Sequence, residues 1–454
     1  MHYFYKTIKI NLMRNYLFAL FTVIPTLLLS QTITTIAGTG LSTYNGNGLL
    51  ATATNIGNGG RMTLNNSGEL IFVDVTSHLL RKIDINGVMT IIAGNLSAGY
   101  QGENVLATTT SLNYPAGVVI DSMGNIIFCE TTNCRIRKID TNGIITTIAG
   151  NGECSSTGDN GLATLATIRG PQYLTIDSQG NLYFSESQFH TVRKIDTSGI
   201  ITRIAGTYIG GYNGDNILAT NARINFPLGL AVDPQGNVFI AEVFGQRIRK
   251  IDTNGIITTI AGTGIAGFNG TNIQATTAQI NRPSGMRFDV QGNLYFGDEY
   301  NNRIRKINTN GVITTVAGSG LQGYFGDGGN ALSAMFDRPS DIIFDSSGSM
   351  YISDNFNYRI RRVTNVLSNE DFAAHEDDIQ LAPNPAVNGI TTLYFPELVN
   401  EIKVFDLVGQ NVLSEKVDGK NNLEINIQKP GIYLVAFYSS EETITKKLMV
   451  GQNR

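Results

Sequence analysis

The sequence predicts an all-β protein, and three observations support this prediction. One stretch recurs unchanged, since RKIDTNGIITTIAG stands at residues 137–150 and again at residues 249–262. Related copies end in glycines spaced 56 residues apart without a slip, which indicates one structural unit repeated along the chain. Within each unit, short runs of β-branched and aromatic residues alternate with Gly, Asn and Asp turns, as in antiparallel strands. The closing glycines are Gly38, Gly94, Gly150, Gly206, Gly262 and Gly318.

Each unit reads as a meander of four strands. In one copy these are GLAVD (229–233), VFIAE (238–242), RIRKID (247–252) and IITTIAG (256–262). The turn after the first strand keeps a glycine in every copy, because a tight hairpin needs a positive φ that glycine adopts at least cost. These glycines are Gly68, Gly124, Gly180, Gly236, Gly292 and Gly348. A longer loop follows each fourth strand.

Four-stranded units repeated about an axis form a β-propeller, in which each blade covers the apolar face of its neighbour. Six first-strand segments are present, at 62–64, 118–120, 174–176, 230–232, 286–288 and 342–344. The sixth unit stops at Val363 without a fourth strand, and TITTIAG at 32–38 supplies the missing strand. The sequence therefore predicts a six-bladed β-propeller over residues 31–363, closed by its N-terminal strand.

The segments that flank the repeats differ in composition. Residues 1–30 contain Arg14, an apolar run and a small residue at the end, which predicts a secretory signal peptide. Residues 364–380 are polar and acidic and read as a linker. Residues 381–454 contain about six short alternating strands and predict a small β-sandwich. Elsewhere no apolar run approaches the ~20 residues of a membrane helix, so no transmembrane anchor is expected.

The composition of the chain argues against some classes of partner and of fold. The chain has 454 residues, 15% of them charged, and a formal net charge of −4, so it lacks the basic footprint of a nucleic-acid binder. Three cysteines in this length are no disulfide framework. Cys129 falls on a strand, whereas Cys134 and Cys154 fall in loops that emerge on the same face. A disulfide between Cys134 and Cys154 is predicted for an exported chain.

The repeats resemble the NHL family. The resemblance rests on FPLGLAVDPQGNVFIAEVFGQRIRKID (226–252), with its proline, D-x-x-G-N turn, acidic strand end and R-I-R start, and on loops such as GYFGDGGNALSAMF (323–336). It implies a six-bladed propeller. It leaves activity open, because propellers of this kind include scaffolds, sugar or protein binders, lactonases and an amidating lyase, and one fold hosts many functions.

The C-terminal segment resembles the sorting domain of type IX secretion cargo from Bacteroidota. The matching features of residues 381–450 are Pro383-Asn384-Pro385, FDLVGQNV, KPGIYLV and the terminal KKLMV. The resemblance implies export across the outer membrane by the type IX secretion machinery, followed by removal of the domain. The expected location is the cell surface or the medium.

Candidate binding residues are those that break the repeat. The positions expected to face the channel are Thr63, Val119, Thr175, Ala231, Arg287 and Ile343, a ring without carboxylate or histidine. We predict a ligand-binding site on the face that carries the long loops. Its predicted residues are Arg61, Tyr173, Arg287 and Asp341 near the channel and Phe244, Tyr300 and Phe356 on hairpin tips. The alternative is that the tip aromatics only pack against adjacent loops.

No cofactor and no metal site are predicted. His78, Cys134 and His190 share one hairpin position on successive blades, about 10 Å or more apart, too far for zinc, whose ligands lie at ~2.0–2.3 Å. Six acid–arginine pairs, seven residues apart, read as a structural ladder. The leading interpretation is a protein- or glycan-binding module without enzyme activity. The rival is a lactonase- or lyase-like enzyme with its site in the channel.

Overall fold

A computed structural model of the protein describes residues 31–364, 380–387, 390–395, 399–406, 410–417, 420–438 and 443–450. The predicted signal peptide, residues 1–30, and nearly all of the predicted linker, residues 364–380, lie outside the described residues. Residues 31–364 form six antiparallel sheets, each a blade of a propeller. The all-β, six-bladed prediction is confirmed.

Every blade has the same four main strands, named here from the axis outward. The innermost strands are Gly59–Leu64, Pro115–Ile120, Pro171–Ile176, Pro227–Val232, Pro283–Phe288 and Pro339–Phe344. The second strands are Leu70–Asp74, Ile126–Glu130, Leu182–Glu186, Val238–Glu242, Leu294–Asp298 and Met350–Asp354. The third strands are Leu79–Ile83, Arg135–Ile139, Thr191–Ile195, Arg247–Ile251, Arg303–Ile307 and Arg359–Val363. The outer strands of blades 1 to 5 are Val88–Ala93, Ile144–Ala149, Ile200–Ala205, Ile256–Ala261 and Val312–Ala317.

Short strands and 3-10 helices lie in the connections between the main strands. A two-residue fifth strand from the long loop pairs with the outer strand of blades 1 to 5. These strands are Leu49–Leu50, Val105–Leu106, Gly161–Leu162, Ile217–Leu218 and Ile273–Gln274. One-turn 3-10 helices lie in the long loops at Ala51–Ala53, Ala107–Thr109, Ala219–Asn221, Ala275–Thr277 and Ala331–Ser333. Others join second and third strands at Ser187–Phe189, Glu299–Asn301 and Asn355–Asn357.

The N-terminal strand closes the ring as predicted. Ile33–Ala37 pairs antiparallel with the third strand of blade 6, with Ile33 opposite Val363. It thus becomes the outer strand of that blade. The third strand of blade 6 is therefore paired on both sides, and it is not left as an exposed sheet edge where the ring closes.

Six apolar clusters hold neighbouring blades together. Each joins residues of two adjacent blades, and one of them combines Met62 and Phe72 of blade 1 with Ile343 and Ile360 of blade 6. Every blade therefore buries both faces of its sheet. This continuous ring of cores explains why the period of the sequence shows no slip, because an inserted residue in one strand would turn its apolar side chains away from the neighbour.

The acid–arginine ladder is confirmed and lies in the interior. One arginine per blade is fully buried against a fully buried carboxyl of the second strand, as for Arg249 and Glu242 at 3.1 Å. A β-bulge between third and outer strands occurs at this arginine, for example between Ile248 and Arg249, and a bulge re-aims the side chain beside it. The arginine then donates to a carbonyl of the long loop, so it fastens the loop to the blade. The six arginines are Arg81, Arg137, Arg193, Arg249, Arg305 and Arg361.

The cysteines and histidines also take structural positions. Cys134 and Cys154 form a disulfide, as predicted, whereas Cys129 is free and buried. His78 and His190 are half-buried and are not surface tips. The Nδ1 atom of each accepts a hydrogen bond from a backbone N–H just before the innermost strand of the next blade, so each histidine connects two blades.

The described residues of the C-terminal domain form seven strands, one more than the six or so that its sequence indicated. They are Gln380–Val387, Ile390–Tyr394, Glu401–Asp406, Asn411–Lys416, Asn422–Asn426, Gly431–Tyr438 and Thr443–Val450. One half of the sheet contributes Leu393 and Ile425 to the core, and the other contributes Val404 and Val435. Two β-layers therefore share one core, as in a small sandwich. No helix among the described residues is long and apolar enough to cross a membrane.

Candidate functional site

The centre of the channel is filled by two side chains from opposite blades. The hydroxyl of Tyr173, on blade 3, lies 3.1 Å from Oδ1 of Asp341, on blade 6. The other oxygen of Asp341 accepts the Met62 N–H of blade 1 at 2.8 Å. Tyr173 and Asp341 are buried, at 3% and 1% exposure. This pair, the axial plug, divides the channel into two separate cavities.

Two arginines flank the axial plug. Arg61 stacks over the ring of Tyr173 with its guanidinium carbon 5.1 Å from the centroid, and it donates to the Ser340 carbonyl. Burial raises the pKa of Asp341, while Arg61 and Arg287 favour its charged form. Burial and the neighbouring Asp341 raise the pKa of Tyr173, so its hydroxyl stays protonated. The axial plug is thus a compensated cluster of charges.

Glycines explain how the innermost strands come close enough for this contact. A Cβ at Gly117 would lie 2.6 Å from the backbone N of Leu174. A Cβ at Gly229 would lie 2.0 Å from the Ser284 carbonyl oxygen. Both distances are far inside van der Waals contact with backbone of the next blade, so these positions exclude any side chain. The large residues at the equivalent positions, Tyr173 and Asp341, then share the space that the glycines leave.

A cavity of about 400 Å³ opens above the axial plug on the face of the long loops. Its charged lining residues are Arg61, Arg282, Arg338 and Glu299. Its rim carries three aromatic side chains, Tyr114, Tyr300 and Phe356, which are 51%, 44% and 39% exposed. We call this the loop-face cavity. Its volume falls within the range of small-molecule sites, roughly 300–1,000 Å³.

An alternating row of arginines and aromatics runs along one side of the loop-face cavity, from blade 4 to blade 6. The Arg282 guanidinium carbon lies 5.5 Å from the Phe244 centroid and 4.6 Å from that of Tyr300. That of Arg338 lies 4.9 Å from Tyr300 and 4.2 Å from Phe356. These five residues form the arginine–aromatic arc. The tip aromatics pack against neighbouring arginines and keep exposed surface, and their role in binding a ligand stays a prediction.

Three polar groups complete the wall of the loop-face cavity. Glu299 is an acid that no other blade has at this position, and its carboxylate lies 3.6 Å from Nε of Arg282. Burial raises the pKa of Glu299, whereas Arg61 and Arg282 oppose this shift. The Ser340 hydroxyl, on a residue 2% exposed, and the Asn355 side-chain oxygen are buried without a hydrogen-bond partner. The Ser340 hydroxyl can still donate a hydrogen bond to a bound molecule or accept one from it, and the Asn355 oxygen can accept one.

A second cavity, of about 410 Å³, lies at the other end of the channel. Arg287 lines it together with Thr63 and Ile343. The expectation that Arg287 belongs to the loop face is therefore corrected, because its position in the innermost strand is nearer the first hairpin turn. Val119 and Ala231, predicted to face the channel, are buried in clusters between blades.

The structure thus brings together a subset of the predicted residues. Arg61, Tyr300 and Phe356 line the loop-face cavity, and Phe244 extends the row beside it. Tyr173 and Asp341 lie buried at the axis beneath it, outside its lining. Sequence reasoning missed Arg282, Arg338 and Glu299. The signal was present, because Arg282 and Arg338 stand where other blades carry Asn58, Tyr114, Gly170 and Phe226.

Metal ligands do not converge in the part of the chain that the structure describes. There, no three His, Cys, Asp or Glu side chains come together in a group that could hold an ion. Two carboxylates of the long loops are engaged by buried arginines: Asp215 pairs with Arg249 at 2.8 Å and Asp327 with Arg361 at 2.6 Å.

Two family models match the chain. The model of the secretion system C-terminal sorting domain matches residues 380–451, and that of the teneurin NHL domain matches residues 97–157 and 210–269. Among curated proteins, teneurin-4 of Mus musculus is 26% identical over 281 residues, 53% of this chain and 10% of that protein. Teneurin-m of Drosophila melanogaster is 29% identical over 231 residues, 45% of this chain and 8% of that protein. The chain spans about a tenth of the length of these relatives.

Solved structures share the fold. A protein of unknown function from Bacteroides thetaiotaomicron superposes with a TM-score of 0.56 at 16% identity, over 74% of this chain and 76% of that one. An auxiliary nutrient binding protein from Bacteroides ovatus does so with a TM-score of 0.55 at 18% identity, over the same shares. The chain is an NHL-repeat β-propeller followed by a type IX sorting domain, and it is exported to the cell surface or the medium.

Proposed function

We propose that the protein is an extracellular binding module that holds a glycan or a macromolecule at the loop-face cavity. The observation that carries this proposal is the exposed arginine–aromatic arc, confined to one sector of an otherwise repeated ring. A single site on a near-symmetric ring needs residues that the other blades lack, and Arg282, Tyr300, Arg338 and Phe356 meet this need. Exposed rings offer a large contact area, while charges beside them set orientation.

The burial of the polar groups at the channel axis supports a binding function rather than a catalytic one. A channel-centred enzyme would need acid, base or ligand groups that can reach a substrate. Asp341 is instead buried, bonded to Tyr173 and Met62 and set between two arginines. We therefore propose a function without chemistry at the axis.

The proposal is tested with a glycan array and a pull-down from envelope extracts. Wild type, a Tyr300→Ala/Phe356→Ala variant and a Phe325→Ala control are compared, since Phe325 is 64% exposed and lies outside the cavity lining. We expect the double variant to lose at least tenfold in retention of a partner that wild type and control keep. A double variant that keeps every interaction of the wild type would contradict the proposal.

A further inference from the structure

The loop-face cavity is closed at its base. The axial plug lies beneath it, and its walls are the first residues of the innermost strands and the hairpins between second and third strands. A closed well admits the end of a chain molecule but not its middle. A ligand that enters it therefore presents a terminal group.

The charged groups that line the well are mostly arginines. They are three arginines and one carboxyl, and the carboxyl of Glu299 is paired with Arg282. Arg61 compensates the buried Asp341, and Arg338 lies 3.8 Å from the Asp337 carboxylate, so each would meet an incoming anion with its remaining N–H donors. The planar guanidinium group suits carboxylate and sulfate oxygens, because it offers parallel N–H donors in a fixed fork.

Polar and apolar groups of the well suit a sugar ring. The buried, unbonded Ser340 hydroxyl and the Asn355 side-chain oxygen offer partners for hydroxyl groups. The parts of the Tyr300, Phe356 and Tyr114 rings that the arginines leave exposed offer apolar contact at the rim. An acidic peptide would use the arginines as well, so hexaglutamate is the competing ligand in the test below.

We propose, resting on the binding function above, that the loop-face cavity binds the end of an acidic glycan. The terminal anionic sugar, carboxylated or sulfated, enters the well and meets Arg61 and Arg338. The next sugar packs against the exposed parts of the rim aromatics. The loop-face cavity is thus a reader of chain ends rather than a groove for the length of a polysaccharide.

The test measures affinity by calorimetry with the full exported chain. The probes are trigalacturonic acid, the neutral trisaccharide of galactose, a sulfated galactan trisaccharide and hexaglutamate. We expect one of the acidic sugars to bind at least tenfold more tightly than the neutral sugar and the peptide. The preferred one of the two decides between carboxylate and sulfate. Affinity should fall as salt is raised.

Variants connect the affinity to the cavity. Arg338→Gln and Ser340→Ala should each weaken acidic-sugar binding at least fivefold, the first by removing a charge and the second by removing a hydrogen bond. Arg223→Gln, at an exposed arginine outside the cavity lining, should bind as wild type does. Unchanged melting temperatures would show that the variants are folded.

The outcomes separate this inference from the proposed function. Equal or tighter binding of the neutral sugar or hexaglutamate overturns the acidic-glycan inference, as does an unaffected Arg338→Gln variant. If none of the probes binds, but the array or pull-down finds a partner that Tyr300→Ala/Phe356→Ala loses, the inference is wrong and the binding function stands. If nothing is retained in any assay, both are wrong.

Discussion

At the scale of single residues, the buried arginines do the most to define a blade. Arg249 meets the buried carboxyl of Glu242 and also donates to the Gly214 carbonyl and to Asp215. Burial raises the pKa of Glu242 to about 7, against the opposing effect of Arg249. The desolvation of the carboxyl is therefore large, and the arginine offsets part of it.

Removal of this arginine should destabilise the propeller strongly. We expect Arg249→Ala to lower the free energy of unfolding by about 3–5 kcal/mol, because it leaves Glu242 buried without its partner. The matched control is Arg247→Ala, in the same strand, where a half-buried guanidinium stacks on Tyr212 and donates to the Gly245 and Thr263 carbonyls. A smaller loss of about 1–2 kcal/mol is expected there, because no buried carboxyl is left without its partner. Urea unfolding followed by circular dichroism measures both. Equal, small losses for the two variants would mean that the buried pair contributes little.

Blade 3 shows how residues of this network change together. In blades 2, 4, 5 and 6 a loop aromatic stacks on the first arginine of the third strand, as Tyr212 does on Arg247 at 4.1 Å. Blade 3 has Ser156 and Thr191 at these two positions. Their hydroxyls donate to Glu186 at 2.7 and 3.0 Å. The chain has therefore exchanged a cation–π pair for two hydrogen bonds at one carboxyl.

Much of this residue-level picture was predictable from the sequence. The acid–arginine pairing followed from positions across a hairpin, and the pairing of Cys134 with Cys154 followed from two loops that emerge on the same face. The bonds from Arg249 to the loop carbonyl did not, since they depend on the β-bulge beside it. The crossing of Tyr173 to Asp341 depends on the width of the channel, which the period of the repeat does not determine.

At the scale of elements, the closing strand is held by side chains as well as by its ladder. The backbone N–H of Thr35 donates to Asp327 at 3.0 Å, and Asp327 also pairs with Arg361. Burial alone would raise the pKa of Asp327, but hydrogen bonds from Thr35, Tyr324 and Arg361 outweigh it and lower the pKa below 3.8. This carboxylate links the N-terminal strand to the blade that it completes.

Asp327→Asn should therefore loosen ring closure. We expect the Thr35 amide to exchange about tenfold faster, since a hydrogen bond to a charged acceptor contributes about 1.5–3 kcal/mol. Asp215→Asn is the matched control, because it removes the same pair with arginine from blade 4, whose outer strand is continuous with the rest of its blade. Hydrogen exchange with mass spectrometry measures both. Unchanged exchange of Thr35 in Asp327→Asn would refute this role.

The same carboxylate makes closure sensitive to acid. Its pKa is lower in the folded state than the ordinary 3.8, so it stabilises the fold fully above that pH. This stabilisation is lost as the pH falls below 3.8 towards the folded-state pKa. Exchange of the closing strand, measured relative to the intrinsic exchange rate at each pH, should accelerate in wild type over this window. In Asp327→Asn the Asp327 contribution to that acceleration should be absent.

At the scale of the whole molecule, a repeated ring carries one site that does not repeat. The inter-blade clusters and buried arginines recur in every unit, whereas Glu299, Arg282, Arg338 and the tip aromatics occur in one sector. Sequence reasoning found the aromatics because they interrupt the pattern. It missed the arginines that join them, because each arginine contacts an aromatic of the preceding blade as well as one of its own, and the contact between blades requires the curvature of the closed ring.

Binding at the loop-face cavity is tested most directly by comparing the two ends of the channel. Hydrogen exchange of the full chain is compared with and without the partner that the array or pull-down retains. We expect slower hydrogen exchange in peptides that cover residues 299–300 and 355–356, at the loop-face cavity. Exchange of residues 289–292 and 345–348, at the opposite end, should not change. Protection of the opposite end alone, with unchanged exchange at the loop-face cavity, would contradict it.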